Sequence, residues 1–254
     1  MTLCTLNIWG GTLSRQLLSF IKDYSDQVDI FCFQEVYRSS VNKIIGRNMR
    51  SNIYGEICAV LKNHQGYFAK HLVGRDLERI VDFPLESGLA IFIRNDIKVR
   101  ECKDIFVYRD GYTVLHDDIA TIPRNLQYVS FVAHNKTFLI SHFHGIWYPK
   151  TKLDTKDRIK QSERIKKFLS RKNEAKILCG DFNLLPNTTS MTILEKGMRN
   201  LIKEYAVPST RSKYYEREEK YADYILISRD VTVKKFNVID VPVSDHLPLL
   251  LEFA

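Results

Sequence analysis

The stretch Lys176-Ile177-Leu178-Cys179-Gly180-Asp181-Phe182-Asn183 is an apolar strand pattern that ends on a glycine, a carboxylate and an amide. Strand tips of this kind are where α/β enzymes place their chemistry. If the extended backbone continues, Asp181 and Asn183 point the same way, a charged acceptor beside a side chain that also donates. Taken alone, GDFN reads equally well as a strand-to-loop turn. Asn7, Glu35, His142, His144, Asp223, Asp245 and His246 also lie at or near the ends of strand-like runs. Carboxylates, amides and imidazoles in this mixture can hold a hard divalent cation and work on a proton. Mg²⁺ takes one or two carboxylates plus waters and phosphate oxygens, which suits Glu35 and Asp245, with Mn²⁺ as a substitute. Asp223 and His246 suit a carboxylate–imidazole pair, the carboxylate fixing the tautomer and favouring the charged ring. This is the chemistry of a phosphate-ester site. No H-E-x-x-H or comparable ligand spacing occurs, which disfavours a zinc hydrolase.

Such groups need strands that deliver their last residues to one edge. Leu3 to Asn7 reads as a first strand, broken by Gly10-Gly11 before a helix whose Leu13, Leu17, Phe20, Ile21 and Tyr24 recur at helical spacing. Val28 to Phe33 reads as a buried strand ending on Gln34-Glu35. A carboxylate there needs a cation, a donor or water beside it; from that pair alone, a surface Glu just past the strand is the commoner outcome. Helical patterns are predicted over about 41–49 and 53–61, then strands over 87–94, 99–108, 128–134 and 138–144, with Asn135-Lys136 as the hairpin turn between the last two. The two-residue period puts Phe138, Ile140, His142 and His144 on one face. A basic helix follows, with Ile165, Phe168 and Leu169 as its buried stripe. Beyond the strand to Asp181, a helix is predicted over 188–196, a polar loop over 209–220, and strands over 221–227, 231–238 and 249–253. No linker, low-complexity tract or repeat is visible, so one domain spanning 1–254 is the simplest organisation.

The 254 residues are 44% hydrophobic and 27% charged, the balance of a globular chain long enough to bury a real core. The formal charge of +8 favours a polyanionic partner. Most of that excess falls between Lys150 and Lys176, which hold eleven Lys or Arg against four Asp or Glu. A solvated helix face is the commoner meaning of such a run. The five cysteines are widely spaced with no C-x-x-C pair, and read as buried or partly buried free thiols of a reducing compartment. The chain opens directly on strand-like sequence, without a basic and then apolar leader, and no apolar run has membrane-spanning length. The cytoplasm is the expected location, with no obligate protein partner indicated.

Seven pieces of the sequence, LNIWG (Leu6 to Gly10), FQEV (Phe33 to Val36), SGLAIFIR (Ser87 to Arg94), ISHFHG (Ile140 to Gly145), GDFN (Gly180 to Asn183), ADYILIS (Ala222 to Ser228) and SDHLP (Ser244 to Pro248), resemble the motifs of the endonuclease/exonuclease/phosphatase superfamily, in that family's order. The resemblance implies an α/β four-layer sandwich, two mixed β-sheets packed face to face and flanked by helices. It implies Glu35 as principal Mg²⁺ ligand, helped by Asn7 and Asp245. Asp181 would orient or deprotonate the attacking water, and Asn183 and His144 would hold the scissile phosphate. His246, oriented by Asp223, is the other candidate for the base or for stabilising the developing charge. Relatives carry Thr-His-Leu or Asn-x-His-Gly where this chain has Ser141 to Gly145, so His142 stands beside His144 as a second candidate for substrate. Trp147 and Tyr148 are placed to stack on a base or sugar, or to pack under the next loop. Nucleic acid is the favoured substrate; an inositol, lipid or small-molecule phosphate would use the same residues. A catalytically silent binding protein is disfavoured, because Glu35, Asp181, Asp223, Asp245 and His246 are all present.

Overall fold

The computed structural model describes residues 1–148 and 151–254; Lys150, the first residue of the basic run, lies outside them. The N-terminal alternation forms β1 (Thr2–Asn7), followed by α1 (Ser14–Tyr24) and β2 (Ile30–Arg38). Next come the short strands β3 (Ile44–Ile45) and β4 (Met49–Arg50), then α2 (Ile53–Val60), β5 (His64–Val73) and β6 (Glu86–Arg94). The second half contributes β7 (Val99–Tyr108), β8 (Arg124–Ala133), β9 (Lys136–His144), α3 (Lys156–Ser170), β10 (Ala175–Asp181) and α4 (Thr189–Glu195). It closes with β11 (Met198–Asn200), α5 (Leu201–Glu204), β12 (Asp223–Ser228), β13 (Val233–Val238) and β14 (Leu249–Phe253).

These strands build two six-stranded sheets, in the orders β13-β14-β1-β2-β6-β5 and β11-β12-β10-β9-β8-β7. Each is mixed, because β1–β2 and β9–β10 pair in parallel while their neighbours pair antiparallel. Alternation along each strand sorts its side chains between two cores. Leu3, Ile30, Cys32 and Ile91 of the first sheet share one core with Val129, Phe131, Phe138, Ile140, Ile177 and Ile225 of the second. Cys4, Leu6, Phe31, Phe33 and Phe92 face the other way, onto Leu17, Phe20 and Ile21 of α1 and Ile53 and Ile57 of α2. Ile165 and Leu169 of α3 and Met191 and Leu194 of α4 cover the outer face of the second sheet. Helix, sheet, sheet and helix thus form the four-layer sandwich, and each fully buried Leu, Ile or Phe contributes about 1.5–3 kcal/mol to it.

Four features differ from the sequence expectations. The helix expected over 41–49 is instead the β3–β4 hairpin, in which Arg47 and Asn48 take left-handed backbone conformations that no helix tolerates. The strand β5 has no counterpart among the expected elements, because this edge strand shows no clean alternation: four of its ten residues are buried, four half-buried and two exposed. The β8–β9 turn falls one residue earlier than expected, on His134 and Asn135 with φ of 51° and 59°, the two left-handed positions of a two-residue hairpin. Cys58 is exposed, while Cys4, Cys32 and Cys179 are buried.

Candidate active site

The second sheet sets out a row of polar side chains at one end. His144 pairs with Asp181, and Asp181 with Asp223, so β9, β10 and β12 present these three residues side by side. The same face, one pleat further in, is the apolar inter-sheet core. From the facing sheet, β1 brings Asn7 in line with inward-facing Leu3 and Thr5.

Glu35 reaches this row through a break in pattern. In regular alternation it would follow Phe31 and Phe33 outward, toward the helices. The register between β2 and β6 shifts between Phe33 and Val36, and Glu35 adopts φ 57°. A bulge re-aims its side chain, at about 1–3 kcal/mol for a non-glycine residue in that region. The carboxylate accepts from Asn7 Nδ2 at 3.0 Å, and the same Nδ2 donates to Asp181 Oδ2 at 3.1 Å. The chain turns left-handed again at Asn183 (φ 53°), so the extended run stops at Asp181 and the two side chains do not simply stack. Instead the Asn183 N–H donates to Asp181 Oδ1 at 2.9 Å. Gly180, at φ 122°, lies so close to the neighbouring strand that a Cβ would sit 2.3 Å from the Phe143 carbonyl oxygen.

Asp181 is the hub. Its Oδ2 lies 3.5 Å from His144 Nε2 and 3.6 Å from His246 Nε2. Burial opposes its charge, but His246, His144, Lys152 and Arg211 outweigh burial and hold the carboxyl well below the usual carboxylate range. His246 Nδ1 sits 2.8 Å from Asp223, whose Oδ2 also accepts from Thr210 Oγ1 at 2.9 Å. Burial and Arg211 push the His246 ring toward neutrality, yet Asp223, Asp245 and Asp181 together raise its pKa. His144 is lowered, by burial first and then by Arg124. Burial first, and then the nearby Asp245 carboxylate, raise the pKa of Glu35.

A cleft of about 360 Å³ opens over these groups, with Glu35, His144, Asp181, Asn183, Asp245 and His246 all in its lining. Asn7 and Asp223 support it from behind, 1% and 2% exposed. His142 is placed elsewhere. It is fully buried between the sheets, with Nδ1 3.0 Å from Gln34 Nε2 and Nε2 2.8 Å from Gln127 Oε1. With both ring nitrogens engaged and burial pulling its pKa to about 3, it joins the two sheets and lies outside the lining of the cleft. Trp147 lines the cleft, whereas Tyr148 turns away to Asp157 and Arg158.

The cleft also holds residues that motif reading did not single out: Arg47, His71, Arg124, Arg211, Tyr214 and Arg217. Arg211 follows Thr210 on the 209–220 loop; its guanidinium contacts His246 Nε2, lies 3.5 Å from Asp245 Oδ2 and stacks 4.0 Å from the Tyr215 ring. The only signal for it is its place one residue after the hydroxyl that fixes Asp223. Among the described residues, Asp181, Asp223 and His246 also bring their ligand atoms within 4.8 Å of one another, a trio that could hold a metal ion.

Fold and cleft together define a hydrolase of phosphate esters. The chain belongs to the endonuclease/exonuclease/phosphatase family, which it matches over residues 4–246. This family is generally metal-dependent, in keeping with the acidic site. Its fold is similar to that of a mannosyl-6-phosphatase from Bacteroides thetaiotaomicron, at 19% identity with a TM-score of 0.72 over 100% of this chain and 99% of that one. The human Nocturnin catalytic domain with bound sulfate is similar at 18% identity and a TM-score of 0.69, over 100% and 93%. A humanized D. rerio TDP2 gives 14% and 0.69, over 100% and 98%. Comparison with curated protein sequences returns no match. No helix among the described residues is long and apolar enough to cross a membrane.

Proposed function

We propose that this chain is a Mg²⁺-dependent phosphoesterase that hydrolyses phosphodiester bonds, with nucleic acid as its substrate and the cytoplasm as its location. The observation that carries this reading is the bulge that turns Glu35 back into the cleft, beside Asn7 and near the Asp245 carboxylate. Half-buried, mutually repelling carboxylates with oxygen donors fit a hard cation, and the Arg211 guanidinium already lies against Asp245. Glu35 and Asp245, with Asn7, would hold Mg²⁺ or Mn²⁺, which when bound supplies charge neutralisation at the phosphoryl oxygens. His144 and Asn183 hold the scissile phosphate. Asp181, kept ionised, aligns the attacking water, and the proton leaves to Asp181 or to Nε2 of His246. Asp223, fixed by Thr210, holds the opposite ring nitrogen of His246 and so sets its orientation. Trp9, Trp147 and Tyr214 on the rim offer stacking surfaces for a base.

A compact phosphate ester is the second reading, favoured by the size of the cleft and by the absence of any α3 residue from its lining. The test is a Mg²⁺-titrated hydrolysis assay on plasmid DNA, abasic duplex, single-stranded RNA, a sphingomyelin analogue and inositol phosphates, with Glu35→Ala in parallel. Cleavage of nucleic acid, lost in chelator and reduced at least about 10³-fold in the variant, is the expected result. Wild-type rates in Glu35→Ala would remove the site assignment, and cleavage confined to the small phosphates would select the second reading.

A further inference from the structure

Arg124 opens β8 and lines the cleft, yet it is only 5% exposed. Among the described residues its guanidinium has no hydrogen-bond partner and no carboxylate within ion-pair distance, and its Nε is a buried donor with nothing to donate to. Arg158 donates to the Ile146 and Leu153 carbonyls and Arg75 to Asp117, and Arg211, whose Nε is likewise a buried donor without a partner, still meets Asp245 and His246 through its Nη1. A buried cation without a partner costs several kcal/mol, and a fold that needed only packing at this position would hold an apolar residue more cheaply. Burial pulls the Arg124 pKa down to about 10, with Glu35, Asp181, Tyr37 and Tyr108 partly restoring it.

Arg124 is also displaced from the scissile position. Asp181 and His144 stand on neighbouring strands, and β8 lies one strand beyond β9, so it is about 10 Å from β10 at the backbone. The two cleft arginines therefore serve different ends. Arg211 answers to Asp245 and His246, while Arg124 stands beside His71 and Ile122 on the far side of His144. The groups facing Arg124 are the carboxylates of Glu35 and Asp181, the phenols of Tyr37 and Tyr108, and the imidazoles of His71 and His144. A cation bound at Glu35 would draw that carboxylate's charge away and leave the guanidinium still less compensated.

We propose that Arg124 anchors a second anion subsite, which takes a phosphate group flanking the scissile phosphate and selects substrates that carry one. This deepens the phosphoesterase reading and rests on it for the position of the scissile group. The subsite itself is tested without turnover. In chelator, inorganic phosphate is titrated calorimetrically into Glu35→Gln, which removes both the metal and the nearest carboxylate, and into Glu35→Gln/Arg124→Met. The expected result is phosphate binding by the first protein, weakened at least tenfold in the second. Equal affinities, or no binding by Glu35→Gln, would overturn the subsite. Arg124→Met alone is expected to melt at or above the wild-type temperature, because an unpaired buried charge gives way to an apolar chain of similar length. A melting point many degrees lower would mean that Arg124 holds the fold, and would also overturn the proposal.

With Mg²⁺ present, kcat/KM is compared on thymidylyl dinucleotide with and without a 5′-phosphate. Wild type should prefer the phosphorylated form at least tenfold, and Arg124→Met should lose most of that preference, with Arg124→Lys retaining part of it. A preference unchanged in Arg124→Met would refute the selectivity. Absence of hydrolysis of either dinucleotide would count against the nuclease reading alone, because the phosphate titration still decides the subsite.

Discussion

Two regions of this molecule are rich in positive charge, and only one of them lines the cleft. Helix α3 carries Lys156, Lys160, Arg164 and Lys167 on exposed positions, and none of them lines the cleft. The cleft takes its guanidinium groups singly: Arg47 from the β3–β4 turn, Arg124 from the start of β8, and Arg211 and Arg217 from the loop before β12. Charge that is dense along the sequence lies in water, where ionic strength screens it within about 10 Å. Charge that is dense in space lies against low-dielectric walls, where each group acts more strongly on a neighbouring anion. The difference teaches that the net charge of a chain says little about where a polyanion will bind.

The contrast breaks most sharply at Arg211. Its side chain is 7% exposed, lies against Asp245 and His246, and is braced on the Tyr215 ring. Arg211→Met should lower kcat/KM by about 10²-fold, the usual loss on removing one charged donor from a preorganised site. Arg211→Lys should recover only part of the loss, because an ammonium cannot reproduce the planar stack. The measurement is steady-state kinetics on whichever ester the assay panel selects, with circular dichroism to confirm the fold. A loss under threefold would show that the cleft's arginines act no more strongly than those of α3.

A smaller effect separates two histidines of β9 that stand only two residues apart. His144 faces the cleft, whereas His142 is sealed between Gln34 and Gln127 with its pKa pulled to about 3. The native state keeps His142 neutral, while the unfolded chain binds a proton below about pH 6.5. Stability should therefore fall as pH drops from about 6.5 toward 3, by up to about 1.4 kcal/mol per pH unit from this one group. His71, also near 3, adds a similar slope. Urea midpoints measured between pH 7 and 4.5 should decline steeply in the wild type and less so in His142→Gln. Identical slopes would mean that His142 is protonated in the folded protein.

Much of this arrangement was legible in the sequence because it follows from strand period and strand ends. Residues Phe138, Ile140, His142 and His144 do share a face, and Asp181 and Asp223 do stand at the ends of their strands. Period alone could not say that the sheet end falls between His142 and His144, which decides that one is sealed and the other open. Nor could it show Glu35, which reaches the site only because a bulge cancels the alternation. The four arginines were invisible for a different reason: each belongs to a turn, strand start or loop whose position depends on the packing of distant elements. No local pattern encodes the fact that residues 47, 124, 211 and 217 converge.

The smallest expected effect comes from α3, where reversal of charge tests the comparison from its other side. Thr155 caps the helix, whose inner stripe of Arg158, Gln161, Ser162, Ile165 and Leu169 is buried, so outward substitutions leave its packing intact. The triple change Lys160→Glu, Arg164→Glu and Lys167→Glu removes three positive charges and adds three negative ones, yet all three positions are exposed. On a dinucleotide, kcat/KM should change less than about twofold, because exposed charges outside the cleft lining are screened. On a long duplex the same protein reports whether the helix touches the backbone beyond the cleft. A shallower dependence of affinity on salt would give α3 a share in holding the polyanion, and an unchanged slope would leave it a solvated face. A tenfold loss on the dinucleotide itself would contradict the comparison outright, since charge on the outer helix would then be reaching a cleft that none of its side chains lines.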